Sequence, residues 1–428
     1  MKVASENAAA RNVRLYLPYR VATSCFAWLP VFFLFFAQHV SFDEVLTLEA
    51  IYYLSVVVAE VPTGYVSDRL GRVAVLRVSA VAFVASYTIF VMAADFAAFA
   101  GAQALLGFAM ACQSGSDTAL HYASLAALSR SDEYGWREAR AERAALAMLA
   151  VAALAGGVTA LHDPRLAYAV SLASAVAALV LSWRLAETPS EAASASTPTP
   201  TLSSTGLGLR GFGEQLGRVR RSLADAELRW LFAFMIVLYV LAHVPYEFYQ
   251  PWLDALLEGA QTPLSSAALY ATGCVVAAYV AGRSMRARQR LGRKGHAALC
   301  LGLAIFVIAA LGLTIHPALL VVIAGRGVPM ALAQAPLRAA IAARVETGML
   351  ATFSSVQALV GRLGFGLFLL AVAHTTQRDA GDDATAKVLT ILRMSSLGAL
   401  VVGLVLLFTY PRDKQPLQAD DAARRLPP

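Results

Sequence analysis

The chain has 428 residues, of which 58% are hydrophobic and 15% charged, and its mean hydropathy is +0.60. A water-soluble fold of this length could not hide so much apolar surface, so lipid is the solvent. The formal net charge of +7 does not mark a nucleic-acid binder, because the arginines sit in short loops between apolar runs, where they set topology.

Apolar runs of about 20 residues recur from end to end, each long enough to cross a hydrocarbon core of about 30 Å as a helix. The period-2 alternation of a membrane barrel is absent. The first run begins near Pro18 after a polar, arginine-bearing leader. Its far end, FFAQHVSFDE, lacks the small-residue site a signal peptidase needs, so it stays as the first helix. Spans are predicted at about 18–40, 44–66, 74–94, 97–128, 138–160, 164–186, 229–250, 264–283, 295–315, 317–341, 350–374 and 386–410. The fold class is therefore all-α integral membrane, with about twelve transmembrane helices.

An even count puts both termini on one side, and the basic residues say which. One set of loops carries Arg69, Arg72 and Arg77, then Arg130, Arg137, Arg140 and Arg143, then the central linker, the run from Arg283 to Lys294, and Arg338 and Arg344. The opposite loops offer only Arg165, Arg378 and Lys387, while Asp43, Glu44, Asp95, Asp254 and Glu258 gather there. The positive-inside bias makes the first set and both termini cytoplasmic, in a multi-pass protein of the cytoplasmic membrane. Cys25, Cys112, Cys274 and Cys300 all fall in apolar helices, at spacings that suit neither a metal site nor a disulfide framework. They read as small buried hydrophobes.

The longest polar interruption divides the chain into an N-terminal half, 1–186, a cytoplasmic linker, 187–228, and a C-terminal half, 229–428, with a short tail. The first part of the linker, ETPSEAASASTPTPTLSSTG, cannot build a core and is expected to be flexible. The second part, GFGEQLGRVRRSLADAELRW, spaces apolar residues and arginines as a short amphipathic helix does. It either lies on the inner leaflet or is a solvated linker helix. The two halves echo each other: GYVSDRLGRVAVLR follows the second span and GRSMRARQRLGRKGHA the eighth, each placing Leu-Gly-Arg in a short basic loop. This is the weak internal repeat of a duplicated transporter fold.

Gly64-Tyr65-Val66-Ser67-Asp68-Arg69-Leu70-Gly71-Arg72 resembles the signature of the major facilitator superfamily, a Gly-x-x-x-Asp-Arg-x-Gly-Arg loop between the second and third helices. The chemistry suits such a loop. Gly64 admits a close neighbour, Asp68 can accept from N–H groups at a helix N-terminus, Gly71 permits a tight turn, and Arg69 and Arg72 can pair with carboxylates or carbonyls. Over about residues 15–410 the resemblance implies two pseudo-symmetric bundles of about six helices each. It also implies a cavity lined chiefly by the first, fourth, seventh and tenth spans, alternating access, and an Asp68 that docks on the start of the eleventh span. Two patterns depart from the family's proton antiporters. Gln103 stands before Gly107 where they carry an arginine, and Ala152-Ala153-Leu154-Ala155-Gly156-Gly157 replaces their Gly-Pro-x-x-Gly-Gly.

A charge inside a span is costly unless paired or wetted, so each is a functional candidate. Glu60 lies two turns before Asp68 and either anchors the signature loop or serves transport. The fourth span sets Gln113, Ser114, Ser116, Asp117 and His121 on one polar stripe, as a cavity wall or as glue between helices. The seventh offers His243 and Glu247 one turn apart with Tyr246, Tyr249 and Trp252, an interfacial aromatic belt or an outer gate. Arg326, between Gly325 and Gly327, and Arg362 are deep in the tenth and eleventh spans. Either contacts solute or is the internal counter-ion of Asp117 or Glu60, while Arg393 is expected to snorkel. Gln334 joins Gln113, Ser116, Tyr246, Tyr249, Arg326 and Arg362 as a cavity candidate.

No P-loop, His-Glu-x-x-His or nucleophile elbow is present, which argues against an enzyme or an ATP-driven pump. No cofactor or metal is called for. The expected function is secondary transport of a small organic solute by a monomer in the bilayer, coupled to protons and directed outward. Asp117 is the leading proton carrier, Glu247 the second, and Glu60, His121 and His243 the further candidates, since a carboxyl away from water can load and release a proton. The alternatives are an importer or facilitator of an organic anion, and a membrane sensor on a transporter scaffold.

Overall fold

The computed structural model describes residues 2–187, 209–259, 261–345, 349–378 and 383–411. All regular structure among them is helical. In the first half these are α1 (Lys2–Ala22), α2 (Phe32–Phe36), α3 (Phe42–Leu70), α4 (Arg72–Met92), α5 (Phe96–Gln113), α6 (Ser116–Ala127), α7 (Tyr134–Ala160) and α8 (Arg165–Arg184). Then follow α9 (Leu209–Ser222), α10 (Ala226–Leu257), α11 (Thr262–Ala281), α12 (Ser284–Leu313), α13 (Leu320–Ala324), α14 (Val328–Ala342), α15 (Leu350–Arg378) and α16 (Ala384–Phe408). Ten helical stretches among the described residues are long and apolar enough to cross a membrane. The expected spans at 18–40 and 44–66 fall on α1–α2 and α3, outside those ten.

Short acidic side chains start several helices by accepting from N–H groups that lack an intrahelical partner. Asp95 accepts from Ala98 N–H at 2.8 Å before α5, and Asp225 from Leu228 N–H at 2.7 Å before α10. Asp383 accepts from the N–H groups of Thr385 and Ala386 before α16. Large apolar side chains such as Met92, Val275, Leu313, Val321 and Phe408 remain exposed, the surface a lipid-facing helix presents.

Three spans expected to be continuous are interrupted. The first breaks between α1 and α2, where the Thr23 and Ser24 hydroxyls bond back to the Arg20 carbonyl and compete with the helical ladder. The fourth breaks at Gly115, which takes φ +77° between α5 and α6. The tenth breaks at Gly325–Gly327, with Pro329 opening α14.

In packing, α3 lies against α5 and α15, α4 against α5 and α8, and α10 against α12, α15 and α16. The two halves of the chain meet where α3 packs on α15, α7 on α11 and α2 on α10. Gly157 makes one of these meetings possible, and Gly156 beside it a close approach within the first half. A side chain at Gly156 would strike the Ala27 carbonyl, and one at Gly157 would strike the Ala267 side chain and the Pro263 carbonyl of α11. The echo between halves reaches the backbone as well: the glycines of the two Leu-Gly-Arg copies, Gly71 and Gly292, both have positive φ, +91° and +69°. The flexible tract expected at the start of the linker is outside the described residues apart from Glu187, whereas its second part carries a helix, α9, packed on α15.

Candidate functional site

A cavity of about 440 Å³ opens beside the break between α5 and α6, and Arg20, Tyr52, Gln113, Asp117 and Glu142 line it together with Arg362 from the second half. Asp117 is placed there by Gly115, whose left-handed turn starts α6 with the carboxyl in its first turn. The buried Asp117 carboxylate accepts from Arg20 Nη1 at 3.0 Å and from the Thr118 N–H at 2.8 Å. Arg20 extends Nη2 to Glu142 at 2.9 Å. One turn along α6, His121 does not meet Asp117. Its Nδ1 lies 3.1 Å from Glu138, which also accepts from the Tyr16 hydroxyl at 2.9 Å, and the His121 and Tyr16 rings stack at 3.8 Å. Ser116 faces the Ser67 hydroxyl at 3.4 Å.

Across the cavity, Arg362 Nη1 holds Glu60 at 2.6 Å, tying α15 to α3. Arg362 is thus the counter-ion of Glu60, and the partner of Asp117 is Arg20, a residue the sequence reading left near the start of the first span. Arg326 pairs with no carboxylate among the described residues. Its guanidinium lies 4.1 Å from the Tyr249 ring centroid and 5.7 Å from that of Tyr270, and Nη1 donates to the Ile323 carbonyl at 2.9 Å. Gln334 is exposed and lies outside the cavity lining. Arg393 is exposed, donates to the Gly312 and Leu313 carbonyls and caps α12.

A seam closes the other end of the interface between halves. Gln250 donates to the Leu29 carbonyl at 3.0 Å and accepts from the Phe33 N–H at 3.1 Å, and the Ser266 hydroxyl donates to the Pro30 carbonyl. Tyr249 bonds Ser266 at 3.0 Å, and Tyr246 stacks on Phe32 with centroids 6.2 Å apart. His243 Nδ1 bonds the Tyr239 carbonyl at 2.7 Å. Glu247 is fully buried, and neither carboxyl oxygen has a hydrogen-bond partner among the described residues. Glu49, also buried, accepts from Gln103 Nε2 at 2.7 Å. Glu49, Glu138 and Glu142 were missed by the sequence reading. Glu49 met the rule for a charge inside a span, and Glu138 and Glu142 stand at the start of the span expected at 138–160, among the arginines assigned to the loop before it.

The signature runs along the end of α3, breaks at Gly71 and opens α4 at Arg72. Gly64 has open space where a side chain would be. The side chains of Asp68 and Arg69 and residues 346–348 lie outside the described set, so the expected docking of Asp68 at the start of α15 does too. The acceptor at the start of α4 is Glu187, which receives the Val73 N–H at 2.7 Å, and Arg72 donates to the Ala119 carbonyl at 3.1 Å.

The sequence profile described as Major Facilitator Superfamily matches residues 21–369. No curated protein matches the chain in sequence. Among solved structures, the chain is similar to the nucleoside transporter NupG, with a TM-score of 0.73 at 12% identity over 95% of this chain and 100% of that one. It is also similar to a D-xylose-proton symporter, with a TM-score of 0.67 at 14% identity over 97% and 100% of the two chains. An auto-inhibited POT family peptide transporter gives a TM-score of 0.72 at 12% identity over 95% and 98%. At such identities the likeness carries the fold alone.

Proposed function

The chain belongs to the major facilitator superfamily, and on that premise we propose that it is a secondary active transporter moving a small organic solute by alternating access. The observation that carries this reading is the cavity between Arg20, Asp117 and Arg362, open on one side of the half-to-half interface while the Gln250–Ser266 seam closes the other. Two halves, 1–186 and 229–428, rock about that interface. The linker and both termini lie on the cytoplasmic side with the cavity, so the conformation faces inward. Ionic and amide groups interleaved with Tyr52 and Phe26 on the wall suit a solute with both polar and aromatic or apolar parts.

Transport is coupled to protons and directed outward, in a monomer of the cytoplasmic membrane. Uptake of an organic anion is the second reading. It is favoured by the two cavity arginines, although each already holds a carboxylate. A thermal-shift screen of the detergent-solubilised protein against metabolites and drugs identifies the solute, because a ligand that binds only the folded state raises its stability. Direction-resolved flux in proteoliposomes then separates export from uptake. A protein that binds a solute without ever moving it would overturn the transport reading in favour of a sensor on the same scaffold.

A further inference from the structure

Glu247 and Glu49 belong to different halves of the chain, yet two ring contacts bring them to one level. Tyr53 of α3 meets His243 of α10 edge-on with centroids 6.0 Å apart, and Phe42 stacks on Phe248 at 6.5 Å. Numbering falls along α3 as it rises along α10, so the helices run antiparallel, and both glutamates lie between the two contacts. Phe42, Glu49 and Tyr53 are spaced by seven and four residues, which puts them on one face of α3. His243 and Glu247 share a face of α10 in the same way. The two carboxyls are close enough for their charges to repel.

No described basic residue forms an ion pair with either acid. Around them stand Tyr52 and Tyr53 on α3, Tyr168 on α8 and His243 and Tyr246 on α10, and Arg362, whose charge reaches Tyr52 and His243, is spent on Glu60. Glu49 keeps one donor, Gln103, while Glu247 has none among the described residues; an ionised carboxylate so placed is costly to bury, and a second charge nearby adds to the cost. A proton on one removes the repulsion and supplies an O–H donor. The residues next to Glu247 already make the seam: Gln250 is one turn on, and Tyr249 bonds Ser266.

We propose that Glu49 and Glu247 form one proton-sharing site that latches this end of the transporter. Protonated, the pair lets α10 and α3 keep their ring contacts and the seam stay closed; with both carboxyls ionised, their repulsion opens it. The proton arrives from water at the seam's end while that end is open and leaves toward the cavity once the seam has closed, so its passage and the movement of the seam are linked. The proposal rests on the reading of the chain as a proton-coupled transporter, and assigns the coupling to this pair instead of Asp117, which is held by Arg20.

The test places spin labels at Gln38→Cys and Gln261→Cys, exposed positions on either side of the seam, in full-length protein whose four native cysteines are replaced. Label distances are measured in nanodiscs as pH is raised. In the otherwise unaltered protein the distance should lengthen with pH, and Glu247→Gln and Glu49→Gln should each abolish the lengthening, because neither variant keeps two charges to repel. Asp117→Asn should leave it in place. A Glu247→Gln protein that opens with pH as the parent does overturns the proposal. So does infrared difference spectroscopy across the same pH range if the titrating carboxylic-acid carbonyl band survives in both Glu247→Gln and Glu49→Gln. Lengthening that depends on Glu247, in a protein whose solute flux ignores an imposed pH gradient, upholds the latch and overturns coupled transport.

Discussion

Glu60 on α3 and Arg362 on α15 meet at 2.6 Å across 302 residues of chain, joining the two halves beside the cavity. Both side chains are mostly withdrawn from solvent, so the pair is a hydrogen-bonded ionic contact in a site where an orphaned partner is expensive. Arg362→Gln or Glu60→Gln should lower stability by about 1.5–3 kcal/mol, the worth of a hydrogen bond to a charged group. Each should also slow transport. The exchanged pair, Glu60→Arg with Arg362→Glu, should recover much of the melting temperature lost by either single reversal. No recovery would mean that the contact is incidental to the α3–α15 interface.

Asp117 should act on solute through Arg20. The Asp117 carboxylate is bonded to Arg20 and the Thr118 N–H, so Asp117→Asn leaves the guanidinium held by Glu142 alone. Solute affinity should fall while the response of flux to a pH gradient is retained. Proteoliposome uptake measured with and without the gradient reads both effects, and loss of the gradient response alone would return the coupling role to Asp117.

Gly71→Ala should destabilise the fold by about 1–3 kcal/mol, the range for a strained backbone position. Its φ is +91°, and a Cβ there would collide with the Glu187 carboxylate that caps α4. Glu187→Ala in the same background removes the collision but not the strain. The double variant should therefore melt above Gly71→Ala if contact dominates, and at or below it if φ does.

Arg326 lies over Tyr249 and outside the described cavity lining. Arg326→Lys should cost about 0.5–2 kcal/mol, the range of a cation–π contact, because an ammonium cannot lie flat across the ring. Binding of anionic and neutral solutes should change by the same factor. A selective loss for anions, read by calorimetric titration, would place Arg326 on the solute path.

The family and the helical, lipid-embedded character were legible in the sequence because they rest on local features: apolar runs of membrane length, a glycine-rich basic loop and its echo half a chain later. The glycines of that echo take positive φ in both copies, as a turn between apolar runs demands. Intramembrane charge also singled out Glu60, Asp117, Glu247, Arg326 and Arg362 by its cost alone.

Partners are another matter, because a side chain's counter-ion is chosen by packing and not by spacing along the chain. One-turn spacing offered His121 to Asp117 and His243 to Glu247, yet His121 meets Glu138, Asp117 meets Arg20 and His243 meets a backbone carbonyl. Those choices depend on where α1 breaks, where Gly115 turns the fourth span, and how α3 and α10 cross. The sequence by itself determined which groups had to be reconciled with lipid. Only the tertiary structure decided which carboxylates are paired and which one, Glu247, is buried with no donor among the described residues, since that follows from contacts between residues hundreds of positions apart.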